Sequence, residues 1–560
     1  MADTASATST GARSVVSTLE HLDVGLAFGL PGVHNLAIWK ALIGSGIRLV
    51  GVRHEQAAVY AADGYARATG RLGVALVTTG PGAANALAAT GEAMASSSPV
   101  LVIATDIPST LRRDGVYRGV LHETRDQTAM FRPVTKAAHM VLDADRIADA
   151  VIECGSVAQA APSGPVYLGI PTDLLSCEVA SPRPVAMPSA GSVPAVAPGV
   201  TLRQVPSADI DRACSLLAGA ARPLIWAGGG AVRSGAGELV GELARRLAAP
   251  VITTYMGRGL LPPDHPCVVP GPVHAREIGA LWDEADVVLA IGTDFDGMMT
   301  QNWSMPRPPT LIAVNIDEAE ANKNYASDLA LVGDACAVLE RLLPAITARA
   351  GLDELYRRLA VIGAQVAEAV AVDDPEAAAF LAIMERLPPE AVVVADMCIP
   401  GYWLAGYRRV PQPRKLAYPM GWGTLGFAFP ASLGAGLAGT GPTVCVTGDG
   451  GFLFACGELA TVVQERVPMT IVLVDDRGYG MLRFDQARVG DESFGVDLVQ
   501  PDFAAVAAAF GLSARSVDGF GPVFEHELRE SIARAEPHMI VVRAALKPPP
   551  TTSPRWYRRT

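Results

Sequence analysis

The 560-residue sequence has few charged and aromatic side chains, and no CxxC pair occurs among its eight cysteines. A zinc site or a disulfide framework is therefore not expected, and a reduced cytoplasmic setting is the simpler interpretation. No apolar run reaches 18 residues, and the first eleven residues contain no apolar signal region, so we expect neither a membrane span nor secretion. The net charge of −12 argues against nucleic acid or an anionic membrane as a partner.

Short apolar runs that alternate with helical patterns fill three long blocks of the chain. This rhythm predicts parallel sheets flanked by helices, that is, an α/β fold with three doubly wound parallel-sheet domains. The predicted boundaries are a first domain at 1–182, a linker at 183–206, a middle domain at 207–345, a helical connector at 346–388, a third domain at 389–546 and a C-terminal tail at 547–560.

Two turns that carry carboxylates follow consecutive strand-like runs of the third block. Asp449 lies in a Gly-Asp-Gly turn, and Asp476 follows the next apolar run. Parallel strands would bring both residues to the carboxyl edge of one sheet, where α/β folds bind ligands. Two hard oxygen ligands, beside glycines that let backbone N–H groups approach a phosphate, suit a Mg²⁺–diphosphate site. The alternative is a pair of ordinary turns with exposed aspartates.

This segment resembles the motif of thiamine diphosphate (ThDP) enzymes, which runs from GDG to a pair of Asn or Asp residues. The resemblance implies a pyrimidine-binding first domain and a diphosphate-binding third domain. It also implies a set of residues that hold Mg²⁺ and the cofactor: Asp449, Asp476 and the Gly478 carbonyl for the metal, and Gly450, Gly451 and Tyr479 as further cofactor contacts.

Glu55 opens a run of small residues in the first block. A carboxylate at this place is often only a helix-start charge that the helix dipole stabilises. The run, however, resembles the pyrimidine-domain signature of ThDP enzymes, in which a buried glutamate hydrogen-bonds a cofactor ring nitrogen. Protonation of that ring makes its amino group acidic, so that it can remove the proton from thiazolium C2. The resemblance therefore makes Glu55 both a catalytic and a cofactor-binding residue.

Two glycine-rich turns are further candidates for cofactor contacts. Thr79 lies in a Thr-Thr-Gly-Pro-Gly loop after a strand-like run, where the resemblance places cofactor or substrate. In the third block, the resemblance implies that the Gly423 carbonyl accepts from the cofactor amino group and that Leu425 is the apolar wedge between its rings. The alternatives are a tight strand-to-helix turn and a core leucine.

His122 aligns with the substrate-side polar residue of the family, which is histidine in several decarboxylases. Because histidine titrates near neutrality, His122 could donate or accept a proton, although a lone histidine is usually a surface or core residue. It is predicted to be catalytic and to bind substrate. The complete predicted set of substrate-binding residues is Val33, His34, His122, Met481 and Leu482.

The resemblance covers nearly the whole chain and is greatest to the acetolactate synthase-like group, which includes 2-oxo acid decarboxylases. Pyruvate decarboxylases have an acidic residue in place of Val33 and His-His in place of His122-Glu123, which makes simple pyruvate decarboxylation doubtful. Acetolactate synthases have a GQH-type segment at the diphosphate, where this chain has Cys-Ile-Pro at 398–400. We expect a ThDP- and Mg²⁺-dependent lyase or carboligase that acts on a 2-oxo acid, with or without subsequent acyloin formation.

Two alternatives stay open at this point. One is a 2-hydroxyacyl-CoA lyase that releases formyl-CoA, for which Arg112 and Arg113 would offer positive charge. The other is a non-catalytic homologue. In relatives the middle domain holds FAD or ADP or is empty; we expect an empty one here. Because the cofactor spans two subunits in this family, we also expect a homodimer or homotetramer.

Overall fold

The computed structural model describes residues 9–113, 115–179 and 204–550. Most of the predicted linker at 183–206 and most of the predicted tail at 547–560 lie outside the described residues. The predicted domain boundaries stay predictions. Within the described ranges, no helix combines the length and the apolar character that a membrane crossing requires.

The first domain contains a six-stranded parallel sheet and a separate pair of short strands. The eight strands of the domain are β1 (Ser9–Thr10), β2 (Leu26–Gly29), β3 (Arg48–Gly51), β4 (Gly73–Val77), β5 (Val100–Asp106), β6 (Ala137–Met140), β7 (Val166–Pro171) and β8 (Glu178–Val179). Its helices are α1 (Gly11–His21), α2 (Leu36–Leu42), α3 (Glu55–Thr69), α4 (Pro81–Asn85), α5 (Leu87–Ala95), α6 (Gln127–Phe131) and α7 (Ile147–Gln159). The sheet order is β3-β2-β4-β5-β7-β6, while β1 pairs with β8 in antiparallel orientation. Strands β4, β5 and β7 are buried throughout, which explains their nearly continuous apolar sequences.

The middle domain has a five-stranded parallel sheet in the order β10-β9-β11-β12-β13. These strands are β9 (Pro223–Ala227), β10 (Val251–Thr253), β11 (Val287–Ile291), β12 (Thr310–Asn315) and β13 (Leu329–Val332). The helices are α8 (Ser207–Gly219), α9 (Gly229–Arg233), α10 (Gly237–Leu247), α11 (Arg276–Glu284), α12 (Gly297–Thr300), α13 (Glu318–Ala321) and α14 (Ala335–Leu342).

Two helices, α15 (Leu352–Asp373) and α16 (Pro375–Met384), connect the middle domain to the third. Every third or fourth residue of α15 is buried, namely Leu355, Leu359, Ile362, Val366 and Val370. This spacing puts one apolar stripe of the helix against the protein. Asp374 caps α16 by accepting the Ala377 N–H, and Pro375 occupies the first turn, where its missing N–H costs nothing.

The third domain repeats the architecture of the first. Its strands are β14 (Val392–Ala395), β15 (Leu416–Ala417), β16 (Thr443–Gly448), β17 (Met469–Asp475), β18 (Ser513–Asp518) and β19 (His538–Arg543). Its helices are α17 (Ile399–Tyr407), α18 (Ala428–Leu437), α19 (Asp449–Phe452), α20 (Leu459–Glu465), α21 (Gly480–Val489), α22 (Phe503–Ala509) and α23 (Pro522–Arg534). The order β15-β14-β16-β17-β19-β18 is the strand order of the first sheet, counted from its own first strand. The predicted fold class, three parallel-sheet α/β domains, is confirmed.

The first and third domains pack against each other through α3 and α18. A Cβ atom on Gly64 would overlap the Ala431 carbonyl, and one on Gly434 would overlap the Ala61 carbonyl. Glycine is therefore needed at both crossings, because the two helix backbones are in direct contact. The Glu458 carboxylate also accepts the N–H groups that precede α3, those of Arg53 at 2.9 Å and His54 at 3.1 Å. The start of α3 is thus held by the third domain.

Candidate active site

Glu55 is the first residue of α3, at the carboxyl edge of the first sheet, and it is buried. The His54 side chain caps this helix start by accepting the Gln56 N–H. One carboxylate oxygen of Glu55 accepts a hydrogen bond from the Asn85 Nδ2 at 2.9 Å. The other faces Gly82, where an added Cβ would lie 3.0 Å from it. The glycine-rich loop after β4 therefore closes over Glu55.

Thr79, His34 and His122 form one cluster on the same edge. His34 Nδ1 lies 2.8 Å from Thr79 Oγ1, and the His34 and His122 rings meet edge to face with 5.4 Å between their centres. The Thr79 hydroxyl in turn donates to Thr105 at 3.0 Å. Burial, and then the positive charge that His122 can carry, lower the pKa of His34 from its ordinary 6.5. The neutral form of the His34 ring is therefore favoured.

His122 has a left-handed backbone, with φ of 68°. This conformation costs free energy for a residue other than glycine and is concentrated at functional sites. It is supported by Gly80, where an added Cβ would lie 3.1 Å from the His122 Cβ. The Nδ1 atom of His122 is buried and has no hydrogen-bond partner among the described residues.

Asp449 and Asp476 directly follow the neighbouring strands β16 and β17 at the carboxyl edge of the third sheet. Asp449 accepts the N–H groups of Gly450 at 2.7 Å and Gly478 at 2.9 Å, together with the Gln500 side-chain amide at 2.7 Å. A Cβ atom on Gly450 would lie 2.7 Å from the Tyr479 ring. The glycines on this edge therefore let the two turns and Tyr479 approach closely.

The two aspartates have raised pKa values. Burial, and then the charge of Asp476, raise the pKa of Asp449 to about 7. Burial raises the pKa of Asp476 to about 6, although the positive charge of Arg483 lowers it. The two like charges, one on the buried Asp449 and one on the half-buried Asp476, have one arginine beside them and make a local excess of negative charge. A cation would relieve that excess.

Gly423 and Leu425 lie in the segment before α18, and both are half-buried. The end of this segment is fixed by Asp396, at the end of β14, which accepts the N–H groups of Gly426 at 3.1 Å and Phe427 at 3.2 Å. An added Cβ on Gly451 would lie 2.6 Å from the same Asp396 carboxylate. The Gly423 segment and the Asp449 turn therefore share one edge of the third sheet.

The remaining predicted residues divide between the two edges. Met481 and Leu482 lie in the first turn of α21, directly after the Asp476 turn, while Val33 is exposed beside His34. The structure thus gathers Glu55, Thr79, His34 and His122 on one edge and the metal and diphosphate candidates on another. Within the described ranges of a single chain, no hydrogen bond or ion pair joins the two groups.

Three residues at the carboxyl edge of the third domain's sheet, called the third edge below, were not predicted from the sequence. Gln500 donates to Asp449, Asp396 anchors the end of the Gly423 segment, and Arg483 donates to the Asp476 carbonyl at 3.3 Å. None of them lies in a glycine-rich turn or a recognisable motif. Only Asp396, which ends a strand-like apolar run, carried a signal that could have revealed it.

The glycines Gly228, Gly229 and Gly230 in the middle domain are largely used for packing. The N–H of Gly228 donates to the Ile291 carbonyl, and the N–H of Gly230 donates to the Gly292 carbonyl, both at 2.9 Å. Two of the three N–H groups are therefore engaged and do not point at a phosphate. The prediction of an empty nucleotide site stays a prediction.

Family models for thiamine pyrophosphate enzymes match all three domains. The N-terminal TPP binding domain matches residues 9–130, the central domain matches 210–342, and the C-terminal TPP binding domain matches 397–542. These matches together cover more than half of the chain.

Similar proteins align along almost the whole chain. The probable 2-ketoarginine decarboxylase AruI of Pseudomonas aeruginosa is 37% identical, over 96% of this chain and 94% of that protein. The acetolactate synthase isozyme 3 large subunit of Escherichia coli is 32% identical, over 94% of this chain and 92% of that protein. The probable acetolactate synthase large subunit of Methanocaldococcus jannaschii is 30% identical, over 95% and 91%. The chain belongs to the thiamine pyrophosphate (thiamine diphosphate) enzymes, and its first and third domains are the ones that match the cofactor-binding domains of that family.

Proposed function

We propose that this enzyme uses ThDP and Mg²⁺ to decarboxylate a 2-oxo acid, releasing an aldehyde or transferring the acyl unit to a second carbonyl compound. The observation that carries the proposal is a pair of aspartates, the buried Asp449 and the half-buried Asp476, at adjacent strand ends of a domain that matches the C-terminal TPP binding domain. The buried Glu55 in the domain that matches the N-terminal one supports it.

The residues of the third edge fit a diphosphate held by a divalent cation. The aspartates supply hard oxygen atoms, and the excess negative charge between them favours a cation. Across the described residues, no group of three or more His, Cys, Asp or Glu side chains is placed to hold a metal. Mg²⁺ would therefore take its other oxygens from the Gly478 carbonyl, water and the diphosphate, which is the usual coordination of this ion.

ThDP, when bound, supplies a carbon nucleophile and an electron sink for the bond to the departing carboxylate. Glu55 holds or moves the proton at the pyrimidine side of the site. The Asn85 amide fixes one oxygen of its carboxylate, which leaves the oxygen facing Gly82 to share a proton with a ring nitrogen. Burial keeps water away from this proton.

The two histidines are proposed to handle protons on the substrate side. The buried Nδ1 of His122 has no hydrogen-bond partner among the described residues, and the lowered pKa of His34 favours its neutral form, which can act as a hydrogen-bond or proton acceptor for the substrate. The contact between His34 Nδ1 and Thr79 fixes the ring orientation. Exposed apolar side chains beside each edge, Val33 and Leu482, are proposed to line the path of the substrate.

We propose that one complete site needs two chains. Glu55 and Asp449 lie on the edges of different sheets, and no hydrogen bond or ion pair joins these two side chains within the described part of one chain. Large apolar side chains are exposed near both edges, with Leu121 at 69% and Phe494 at 86%. A second copy would cover these side chains and bring a Glu55 edge to an Asp449 edge. Activity should then disappear on dilution to monomer, as measured by sedimentation alongside turnover.

The names of the relatives point to 2-oxo acids, since one is called a probable 2-ketoarginine decarboxylase and others acetolactate synthases. The 2-hydroxyacyl-CoA lyase alternative is less well supported, because Arg112, one of the two arginines that it would use, is already paired with the buried Asp106. The non-catalytic alternative would leave the burial of the Glu55 and Asp449 carboxylates without a purpose.

The test is CO₂ release from pyruvate and from branched, aromatic and guanidino 2-oxo acids, with ThDP and Mg²⁺ present or omitted. Cofactor-dependent release from at least one acid is expected. Product analysis then separates aldehyde from acyloin. If no acid releases CO₂ although ThDP binds, decarboxylation is excluded and cleavage of hydroxyacyl thioesters becomes the reaction to assay.

A further inference from the structure

The segment from Tyr418 to Phe427, which carries Gly423 and Leu425, lies against two helices of the first domain of the same chain. The Tyr418 carbonyl accepts from a side chain of α3, and the Trp422 N–H donates to a side chain of α5. Whether Gly423 and Leu425 can meet a cofactor depends on where this segment is held. The contacts that hold it are therefore part of the site.

Arg67, near the end of α3, contacts both ends of the segment. Its Nη1 donates to the Tyr418 carbonyl at 2.8 Å. Its guanidinium carbon lies 4.7 Å from the centre of the Phe427 ring, which is a cation–π arrangement. The side chain is almost fully buried, so both interactions are shielded from water.

Glu92, on α5, connects this arginine to the middle of the segment. One carboxylate oxygen accepts from Arg67 Nη2 at 3.1 Å and from Ser96 Oγ at 2.8 Å. The other oxygen accepts the Trp422 N–H at 3.2 Å. The Trp422 indole rests on the same helix, where a Cβ atom added to Gly91 would lie 2.6 Å from the ring.

Pairing of Arg67 does not require Glu92. Asp63 already binds the guanidinium in a bidentate manner, at 2.9 and 2.7 Å, and is itself fully buried. A second buried carboxylate is costly, because burial disfavours its charged form. Besides its bond from Ser96, Glu92 makes one contact that Asp63 does not share, the one to the Trp422 N–H. Trp422 lies three residues before Leu425 and next to Gly423.

We propose that Glu92 is a positioning residue for thiamine diphosphate, which acts by fixing Trp422 and so the placement of Gly423 and Leu425. Arg67 completes the arrangement by holding the two ends of the segment. This inference rests on the proposed function. It assigns to the first domain a second task besides presenting Glu55, namely to hold the cofactor-contacting segment of the third domain in its own chain.

The test uses Glu92→Gln in the full-length protein. If the amide oxygen keeps facing Arg67 and Ser96, its NH₂ group faces the Trp422 N–H and that hydrogen bond is lost. We expect ThDP to bind about ten-fold more weakly in the presence of Mg²⁺, as measured by calorimetry, because a hydrogen bond to a charged group is lost. Amide hydrogen exchange should also become faster within 418–427 in the cofactor-free protein.

Glu527→Gln is the matched control. Glu527 is also buried and paired with arginines, Arg515 and Arg534, but it lies on α23 and does not contact the segment. It should leave ThDP affinity and exchange in 418–427 unchanged. If Glu92→Gln does not fold, Gly421→Ala decides, because the added Cβ overlaps Ala95 of α5 and displaces the segment without removing a buried charge.

The outcomes separate the two levels of the argument. Wild-type protein that binds no ThDP would overturn the proposed function. Wild-type protein that binds ThDP, together with a folded Glu92→Gln variant whose affinity and segment exchange match those of the control, would overturn the positioning role alone. When only Gly421→Ala can be studied, an unchanged affinity for ThDP overturns the positioning role.

Discussion

The first and third domains have the same strand order, but the carboxyl edges of their sheets carry different chemistry. The first edge presents one buried glutamate, Glu55, with two neighbouring histidines. The third presents Asp449 and Asp476, whose pKa values are raised by burial and then by neighbouring negative charge. One edge is suited to hold and move a proton, and the other to hold a cation.

The comparison teaches that the repeated fold determines where the loops lie, while the residues at the strand ends determine what the loops do. Within the described residues of one chain, no hydrogen bond or ion pair joins Glu55 or its neighbouring histidines directly to Asp449 or Asp476. Each can therefore be changed separately, and the consequences should differ in kind as well as in size.

Replacement of Glu55 by glutamine should have the largest effect on turnover. The variant keeps the Asn85 hydrogen-bond geometry but loses the proton that the carboxyl group exchanges, so kcat should fall about 100- to 10,000-fold. Affinity for ThDP and Mg²⁺ should change little, because the third edge is untouched. Steady-state kinetics and calorimetry measure both quantities, with Glu20→Gln as a control in the same domain. Unchanged kcat would contradict the division of tasks.

Asp449→Asn should show the opposite pattern, with the loss in binding. This substitution removes one negative charge from the cation site, so the Mg²⁺-dependent affinity for ThDP should fall by more than about 100-fold. A loss of this size exceeds the loss in metal affinity that usually follows when a residue that only supports a metal ligand is replaced. Asp518→Asn, at the end of β18 in the same sheet, should leave affinity intact. Retention of full Mg²⁺-dependent affinity in Asp449→Asn would place the cation elsewhere.

Gln500→Ala should weaken the same binding to a smaller extent. Gln500 donates to the Asp449 carboxylate at 2.7 Å and so orients it for a cation. Loss of such a supporting donor costs about 10- to 100-fold in metal affinity. Titration with Mg²⁺ at fixed ThDP measures this cost, and Gln464→Ala on α20 serves as the control. An affinity equal to that of the control would show that Asp449 is oriented without Gln500.

The smallest effect concerns the pH dependence of stability on the first edge. Because burial and His122 lower the pKa of His34 below 6.5, the folded protein binds a proton there less readily than the unfolded chain does. The free energy of unfolding should therefore fall as pH drops below 6.5, with no contribution from His34 above that value. Urea unfolding of cofactor-free protein at about pH 5 and about pH 7.5 should show a smaller fall for His34→Gln than for wild type. If the free energy of unfolding of His34→Gln falls as much as that of wild type, the lowered pKa of His34 is contradicted. It is also contradicted if His139→Gln, at an exposed histidine, reduces the fall by the same amount.

The sequence predicted the buried strands well, because a strand covered on both faces is a continuous apolar run. Strand β11, for example, is apolar and buried at each of its positions. Strand β18 was not predicted, since most of its side chains are half-buried or exposed and its sequence has no apolar run. Edge strands are defined by the neighbour with which they pair, which a local pattern does not show.

The same distinction applies to the site. Asp449 and Asp476 could be predicted because each carboxylate follows an apolar run directly. Gln500 could not, because it reaches Asp449 only when the chain returns 51 residues later. Glu92 could not be predicted either, because its partner Trp422 lies 330 residues away. Contacts of this kind depend on domain packing and leave no trace in residue spacing.

The division of tasks between the two edges is tested most directly by the exchange of the C2 proton of bound ThDP for deuterium, followed by NMR in the presence of Mg²⁺. In this division, the first edge supplies the proton-handling carboxylate to a cofactor whose diphosphate is held by the third edge. It predicts exchange well above the rate of free ThDP in wild type, and a return toward that rate in Glu55→Gln with the cofactor still bound. Equally fast exchange in both proteins would contradict it.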